Sequence, residues 1–118
     1  VQAGEKQSHW MWYIFPQLKG LGKSDAAILY GIQDLNEAEA YYTNPVLGAN
    51  LLEISNALLR IEGKSANEIF GYPDDLKLHS CMTLFAQIKR VDSVFQLVLD
   101  KFFKGVPDEQ TIKLLRKV

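Results

Sequence analysis

Asn44–Gly63 reads NPVLGANLLEISNALLRIEG, with apolar side chains at Leu47, Leu51, Ile54, Leu58 and Ile61, in steps of four and three. That period places all five on one side of an α-helix, and Leu52 and Leu59 widen the stripe. Asn44-Pro45 opens the element, because proline at the first helical position gives up an N–H that has no intrahelical partner there. Gly63 is its expected stop. This is the clearest helix in the chain and sets the helical reading of the rest.

Outward from it, the same start and stop signals recur at short intervals, and strand signals are nearly absent. Toward the N-terminus, Asp34 followed by Glu37 is an acidic variant of the capping box and opens a helix over Leu35–Thr43. Ser24 caps a short helix through Ile28, Leu29 and Tyr30, which Gly31 stops. Ser8 to Phe15 reads as another, ended by Pro16, since the residue before proline avoids helical angles. Toward the C-terminus, Ser65 and Glu68 form a regular capping box, although Gly71 and Pro73 cut that helix short. Asp74 is the expected cap of a longer helix, with Leu78, Cys81, Met82, Leu84, Phe85 and Ile88 on its apolar side. Asp92 caps a helix with Phe95, Val98, Leu99, Phe102 and Phe103 inward and Gly105 at its end. Pro107-Asp108 opens the last, carrying Ile112, Leu114 and Leu115. The expected fold is therefore all-α, a multihelical single domain of about seven or eight short helices. With 118 residues, no repeat and no linker, one domain spanning 1–118 is expected.

Composition narrows the function classes. A hydrophobic share of 47% with 23% charged residues and a formal net charge of −1 is that of an ordinary soluble chain. No global charge favours nucleic acid or an anionic membrane, and Lys113, Arg116 and Lys117 read as a solvated last helical turn. No nucleic-acid partner is expected. Neither a membrane-spanning run nor a signal-peptide core is present, so no membrane partner is expected either. Cys81 is the one cysteine, which precludes an internal disulfide and a cysteine-based zinc site and suits a reducing cytoplasm. His9 and His79 show no ligand spacing, so no metal and no cofactor is expected.

Two segments carry chemistry. Ser8–Gly22, SHWMWYIFPQLKGLG, is dense in rings and polar tips. Trp10 and Trp12 can wall a pocket for a planar heterocycle, with His9, Gln17 and Lys19 at its lip. The Lys19–Gly22 turn can bring an ammonium and backbone N–H groups to an anion, although the spacing of a Walker loop is absent. The plainer reading packs the rings into the core and uses the glycines to turn the chain. Asp74–Phe85, DDLKLHSCMTLF, places Asp75 and His79 four residues apart on one helix face, with Lys77 and Ser80 adjoining. An Asp–His pair can orient a base, but Ser80 and Cys81 point about 100° and more from His79, which weakens any triad. Here the plainer readings are Asp74 and Asp75 at a helix start, Lys77 paired with Asp74, Thr83 bonded back to His79 and Cys81 as a buried hydrophobe.

These segments, with NPVLG at Asn44–Gly48 and EIFGYPDDLKLHS at Glu68–Ser80, resemble the bacterial family catalogued as domain of unknown function 1810. The resemblance covers nearly the whole chain and implies a mainly α-helical single domain. It implies no reaction, since the family has no established one. It marks Ser8, His9, Trp10, Trp12, Phe15, Pro16, Gln17, Gly20 and Gly22 in the first segment, and Asp75, Lys77, Ser80, Met82, Thr83 and Phe85 in the second. Similar chains carry an extra helical segment before the Ser-His-Trp motif, where this one has seven residues.

Two functional expectations follow. The first is a cytoplasmic domain that binds a small polar or nucleotide-like ligand between Ser8–Gly22 and Asp74–Phe85. Its candidate ligand-binding residues are His9, Trp10, Trp12, Gln17, Lys19, Asp75, Lys77 and Ser80. The second is a non-catalytic module whose aromatic N-terminal segment docks a protein or a second copy of the chain, as a homo-oligomer. The sequence assigns no catalytic residue and leaves open whether the protein is an enzyme.

Overall fold

The structure is a computed structural model that describes residues 15–18 and 31–116. Six helices lie among these residues: α1 (Leu35–Thr43), α2 (Leu47–Leu59), α3 (Ala66–Phe70), α4 (Asp74–Ala86), α5 (Val94–Phe103) and α6 (Glu109–Arg116). The all-helical class holds. The helices expected over Ser8–Phe15 and Ser24–Tyr30 lie outside the described residues, apart from Phe15. Among the described residues one isolated parallel bridge joins Leu18 to Ile32, where the Ile32 N–H donates to the Gln17 carbonyl at 2.8 Å.

The expected side-chain caps hold at α1 and α3, whereas Val46 and Ser93 take the cap positions of α2 and α5 without a side-chain bond, one or two residues after the expected Asn44-Pro45 and Asp92. Ser65 and Glu68 form the full reciprocal box, at 3.1 Å and 2.8 Å. Asp34 Oδ1 accepts from the Glu37 N–H at 2.9 Å, but Glu37 answers the Gln33 N–H at 2.6 Å rather than that of Asp34. Asn44 Oδ1 takes the N–H groups of Val46 and Leu47, both at 2.9 Å. Asp92 Oδ1 accepts from Val94 N–H at 2.8 Å. Asp74 corrects the expectation: Pro73 occupies the cap position without a side-chain bond, and Asp74 lies inside the first turn. There it is buried and pairs with Lys77 at 3.6 Å.

The core surrounds α4. Its Leu78, Cys81, Met82, Leu84 and Phe85 have no solvent exposure, and α1, α3, α5 and α6 all pack against it. Phe85 meets Tyr41 of α1 at 5.7 Å and Phe95 of α5 at 5.6 Å between ring centroids. Tyr42 meets Phe95 edge-on at 5.9 Å, and its hydroxyl accepts from the Asp92 N–H.

Helix α2 differs from its sequence reading in two ways. Its buried set is Gly48, Leu51, Ser55 and Leu58, whereas Leu47 is exposed. The cause is a close approach of backbones: a Cβ built on Gly48 would stand 1.8 Å from the Tyr42 carbonyl oxygen. Gly48, rather than Leu47, therefore faces α1, and the helix is turned accordingly. The helix also ends at Leu59, before Gly63, and the Leu59 carbonyl accepts from Lys101 Nζ at 2.7 Å.

Two stability predictions follow from α2. Gly48→Ala lowers the free energy of unfolding in urea by about 3 kcal/mol or more, because the methyl group meets backbone that has little room to yield. At an unobstructed helix-interior glycine the same change would stabilise by up to about 1 kcal/mol. Ser55 Oγ is fully buried with no hydrogen-bond partner. Ser55→Ala removes that orphaned hydroxyl and raises stability by about 1 kcal/mol in the same assay.

Candidate functional site

The described end of the Ser8–Gly22 segment is buried. Phe15 has no exposure and its ring meets Phe70 edge-on, with centroids 5.9 Å apart at 90°. Gln17 is buried too, and its Nε2 donates to the Phe15 carbonyl at 3.3 Å. Phe70 closes α3, four residues before α4 begins. Phe15 thus touches the end of α3, just ahead of the second segment rather than within it. His9, Trp10, Trp12 and Lys19 lie outside the described residues.

At the start of α4 the polar side chains are engaged locally. Asp75 Oδ1 accepts from the Leu76 N–H at 2.9 Å and Oδ2 from Asn67 Nδ2 at 3.3 Å, which ties α4 to α3. His79 turns elsewhere. Its Nε2 lies 2.6 Å from the Val106 carbonyl, so it carries the proton of that bond, and its ring stacks on Phe103 at 4.1 Å and 4°. The Asp75–His79 pair anticipated from the spacing is not formed, because each side chain has a partner on a different neighbouring helix or loop.

Ser80 is equally committed. Its hydroxyl faces the Leu76 carbonyl at 3.1 Å and Asp108 Oδ2 at 3.3 Å. Thr83 Oγ1 donates to the His79 carbonyl at 2.8 Å, the back-bond expected of a mid-helix threonine, and accepts from the Asp108 N–H at 2.8 Å. Asp108 Oδ2 also takes the Thr111 N–H at 3.0 Å and the Thr111 hydroxyl at 2.6 Å. Asp108 is the hub that sequence reading missed. Its place before the last helix showed a cap, but its reach to Ser80 and Thr83, 28 and 25 residues away, left no local signal.

Cys81 is fully buried, and burial pushes its thiol well above the ordinary range. Burial also raises the neighbouring Tyr41 phenol, with the Cys81 thiol adding to the effect. A buried, protonated thiol and a serine shared between a carbonyl and a carboxylate do not make an activated nucleophile.

A cleft of about 270 Å³ opens between Asp34, Leu35 and Asn36 at the start of α1 and Leu115 of α6. None of these residues belongs to either chemistry-bearing segment, so shape and polar chemistry do not coincide there. Among the described residues no group of three or more His, Cys, Asp and Glu side chains is placed to hold a metal ion. No helix among them is long and apolar enough to cross a membrane.

The described residues define an all-helical protein. The chain belongs to the family described as "Protein of unknown function (DUF1810)", whose model matches residues 1–115. The crystal structure of the conserved hypothetical protein Rv1873 from Mycobacterium tuberculosis is similar, at 47% identity and a TM-score of 0.89, over 94% of this chain and 79% of that one. Among curated proteins nothing matches.

The thiol yields a signed pH prediction. The folded chain holds the Cys81 proton above the ordinary thiol value of 9.0, at which the unfolded chain begins to release it. Stability is therefore unaffected by this group below about pH 9 and falls above it, by at most about 1.4 kcal/mol per pH unit. Urea unfolding at pH 8 and pH 10 measures the slope, and Cys81→Ala reduces it, leaving the share of the raised Tyr41 phenol.

Proposed function

We propose that this chain binds a small polar or nucleotide-like ligand where the Ser8–Gly22 segment meets the α3–α4 junction. The observation that supports this reading is the edge-on contact of Phe15 with Phe70, which carries the first segment to the helix turn holding Asp74, Asp75 and Lys77. On the described side, Gln17, Asp75 and Lys77 orient the ligand or answer its charge. His9, Trp10, Trp12 and Lys19 complete the site. Ser80 is reassigned from ligand contact to the Asp108 network, since its hydroxyl is already shared there. The chain acts as one helical domain over residues 1–118 in the cytoplasm, a compartment that suits its lone buried thiol. Ring stacking supplies about 1–3 kcal/mol per base, so a bare heterocycle binds no tighter than about millimolar and charged appendages carry the rest.

A thermal-shift screen of nucleotides and polar metabolites tests this. At a ligand concentration about a hundredfold above Kd, binding adds about 2.7 kcal/mol and lifts the Tm by roughly 10 °C. His9→Ala with Asp75→Ala leaves the fold intact and abolishes the shift. A panel that leaves the native Tm unmoved overturns the ligand reading.

A second reading, a protein-docking or self-associating module that uses the aromatic N-terminal segment, gains support from Tyr72 just before α4 and Leu76 within it, which are 77% and 50% exposed. It requires melting that depends on protein concentration, lost in Tyr72→Ser with Leu76→Ser. Concentration-independent melting of the native chain eliminates self-association.

A further inference from the structure

Helix α6 is lightly buried, as are α1 and α3, each of which buries one residue, and its Leu114 and Leu115 rest on the edge of the core. Its one fully buried side chain is Thr111, while Ile112, Leu114 and Leu115 are half-buried and Glu109, Gln110, Lys113 and Arg116 are exposed. By contrast, α5 buries Val94, Phe95, Val98 and Leu99. Beside the packing of Leu114 and Leu115, polar bonds from its lead-in to α4 hold α6 in place: His79 Nε2 to the Val106 carbonyl at 2.6 Å, Asp108 N–H to Thr83 Oγ1 at 2.8 Å, and Ser80 Oγ to Asp108 Oδ2 at 3.3 Å.

Both sides of this attachment keep partners when they separate. Ser80 and Thr83 already face carbonyls of their own helix, those of Leu76 and His79. Asp108 retains the Thr111 N–H and hydroxyl, so α6 carries its own cap with it. Release therefore strands few polar groups, which keeps the cost of opening low. A joint stands where it is needed. Lys104 adopts φ 57° and ψ 28°, and Gly105 adopts φ 76°, between the end of α5 and Val106. Such element-terminal positions absorb the backbone rotation of a hinge.

We propose that Val106–Arg116 is a hinged latch that turns about Lys104-Gly105 as a unit, uncovering the polar line His79, Ser80 and Thr83 on α4. The latch is independent of the ligand reading and opens within the folded protein, ahead of global unfolding. Its occupant in the open state is solvent.

Native-state hydrogen exchange of the full chain, read residue by residue at low and rising urea, tests this. The hydrogen-bonded amides of α6 exchange at least about tenfold faster than those of α4 and α5, with a rate nearly independent of urea, because a local opening exposes little surface. His79→Phe keeps the ring stack on Phe103 and loses the bond to Val106. Thr83→Val keeps the buried volume and loses the bond to Asp108. Each speeds exchange in α6 by about fivefold and leaves α2 and α5 unchanged. Exchange of α6 at the same rate and with the same urea dependence as α4 and α5 overturns the latch. So does either variant speeding exchange equally throughout a still-folded chain.

Discussion

Burial of the Ser80–Phe85 stretch of α4 on every side is the constraint to which the rest of the structure answers. Residues Ser80 to Phe85 are buried without a break, so no face of that stretch is left for solvent. An apolar residue in such a place needs only neighbours, which α1 and α5 supply through Tyr41, Phe95 and their surroundings. A hydroxyl needs a bond as well, because stripping it of water without replacement costs more than the bond returns. Ser80 and Thr83 meet that need twice over, first within α4 and then through Asp108. The geometry of the last helix follows from this demand: its cap residue is placed where α4 has polar atoms to satisfy.

The same constraint divides α4 by function. Its first turn carries Asp74, Asp75, Leu76 and Lys77 and adjoins α3, on whose last residue the Phe15 ring rests. Its middle and end are given over to packing and to the α6 attachment. A helix that serves as a core strut can expose side chains only where its burial lapses, and Leu76 shows that the lapse lies at its N-terminal end.

How much of this the sequence revealed depended on range. Ser65 with Glu68 and Asp34 with Glu37 act over three residues, and each marked its helix correctly, whereas Asn44-Pro45 lies ahead of α2, which begins at Leu47 with Val46 in the cap position. The stripe of α2 was legible as a helix but misplaced by part of a turn, since the deciding contact, Gly48 against the Tyr42 carbonyl, concerns a missing side chain rather than a present one. Asp74 looked like a cap by composition, yet the turn before it left the cap position to Pro73. Asp75 and His79 have the right spacing to pair on an isolated helix. What separated them was Asn67 on one side and the Val106 carbonyl on the other, and neither competitor is local to the pair.

That failure bears on how chemistry-bearing spacing is to be weighed. An i,i+4 pairing is worth a few tenths of a kcal/mol on an exposed helix. A bond to a backbone carbonyl together with a parallel aromatic stack outweighs it wherever tertiary structure offers both. His79 has both, from Val106 and Phe103, so its imidazole is a fastening between α4 and the chain beyond α5. The residues with the strongest catalytic look in the sequence are thus those the fold uses as fasteners. Polar groups at the first turn of α4, by contrast, are bound to near neighbours: Asp75 to Leu76 and Asn67, and Asp74 to Lys77.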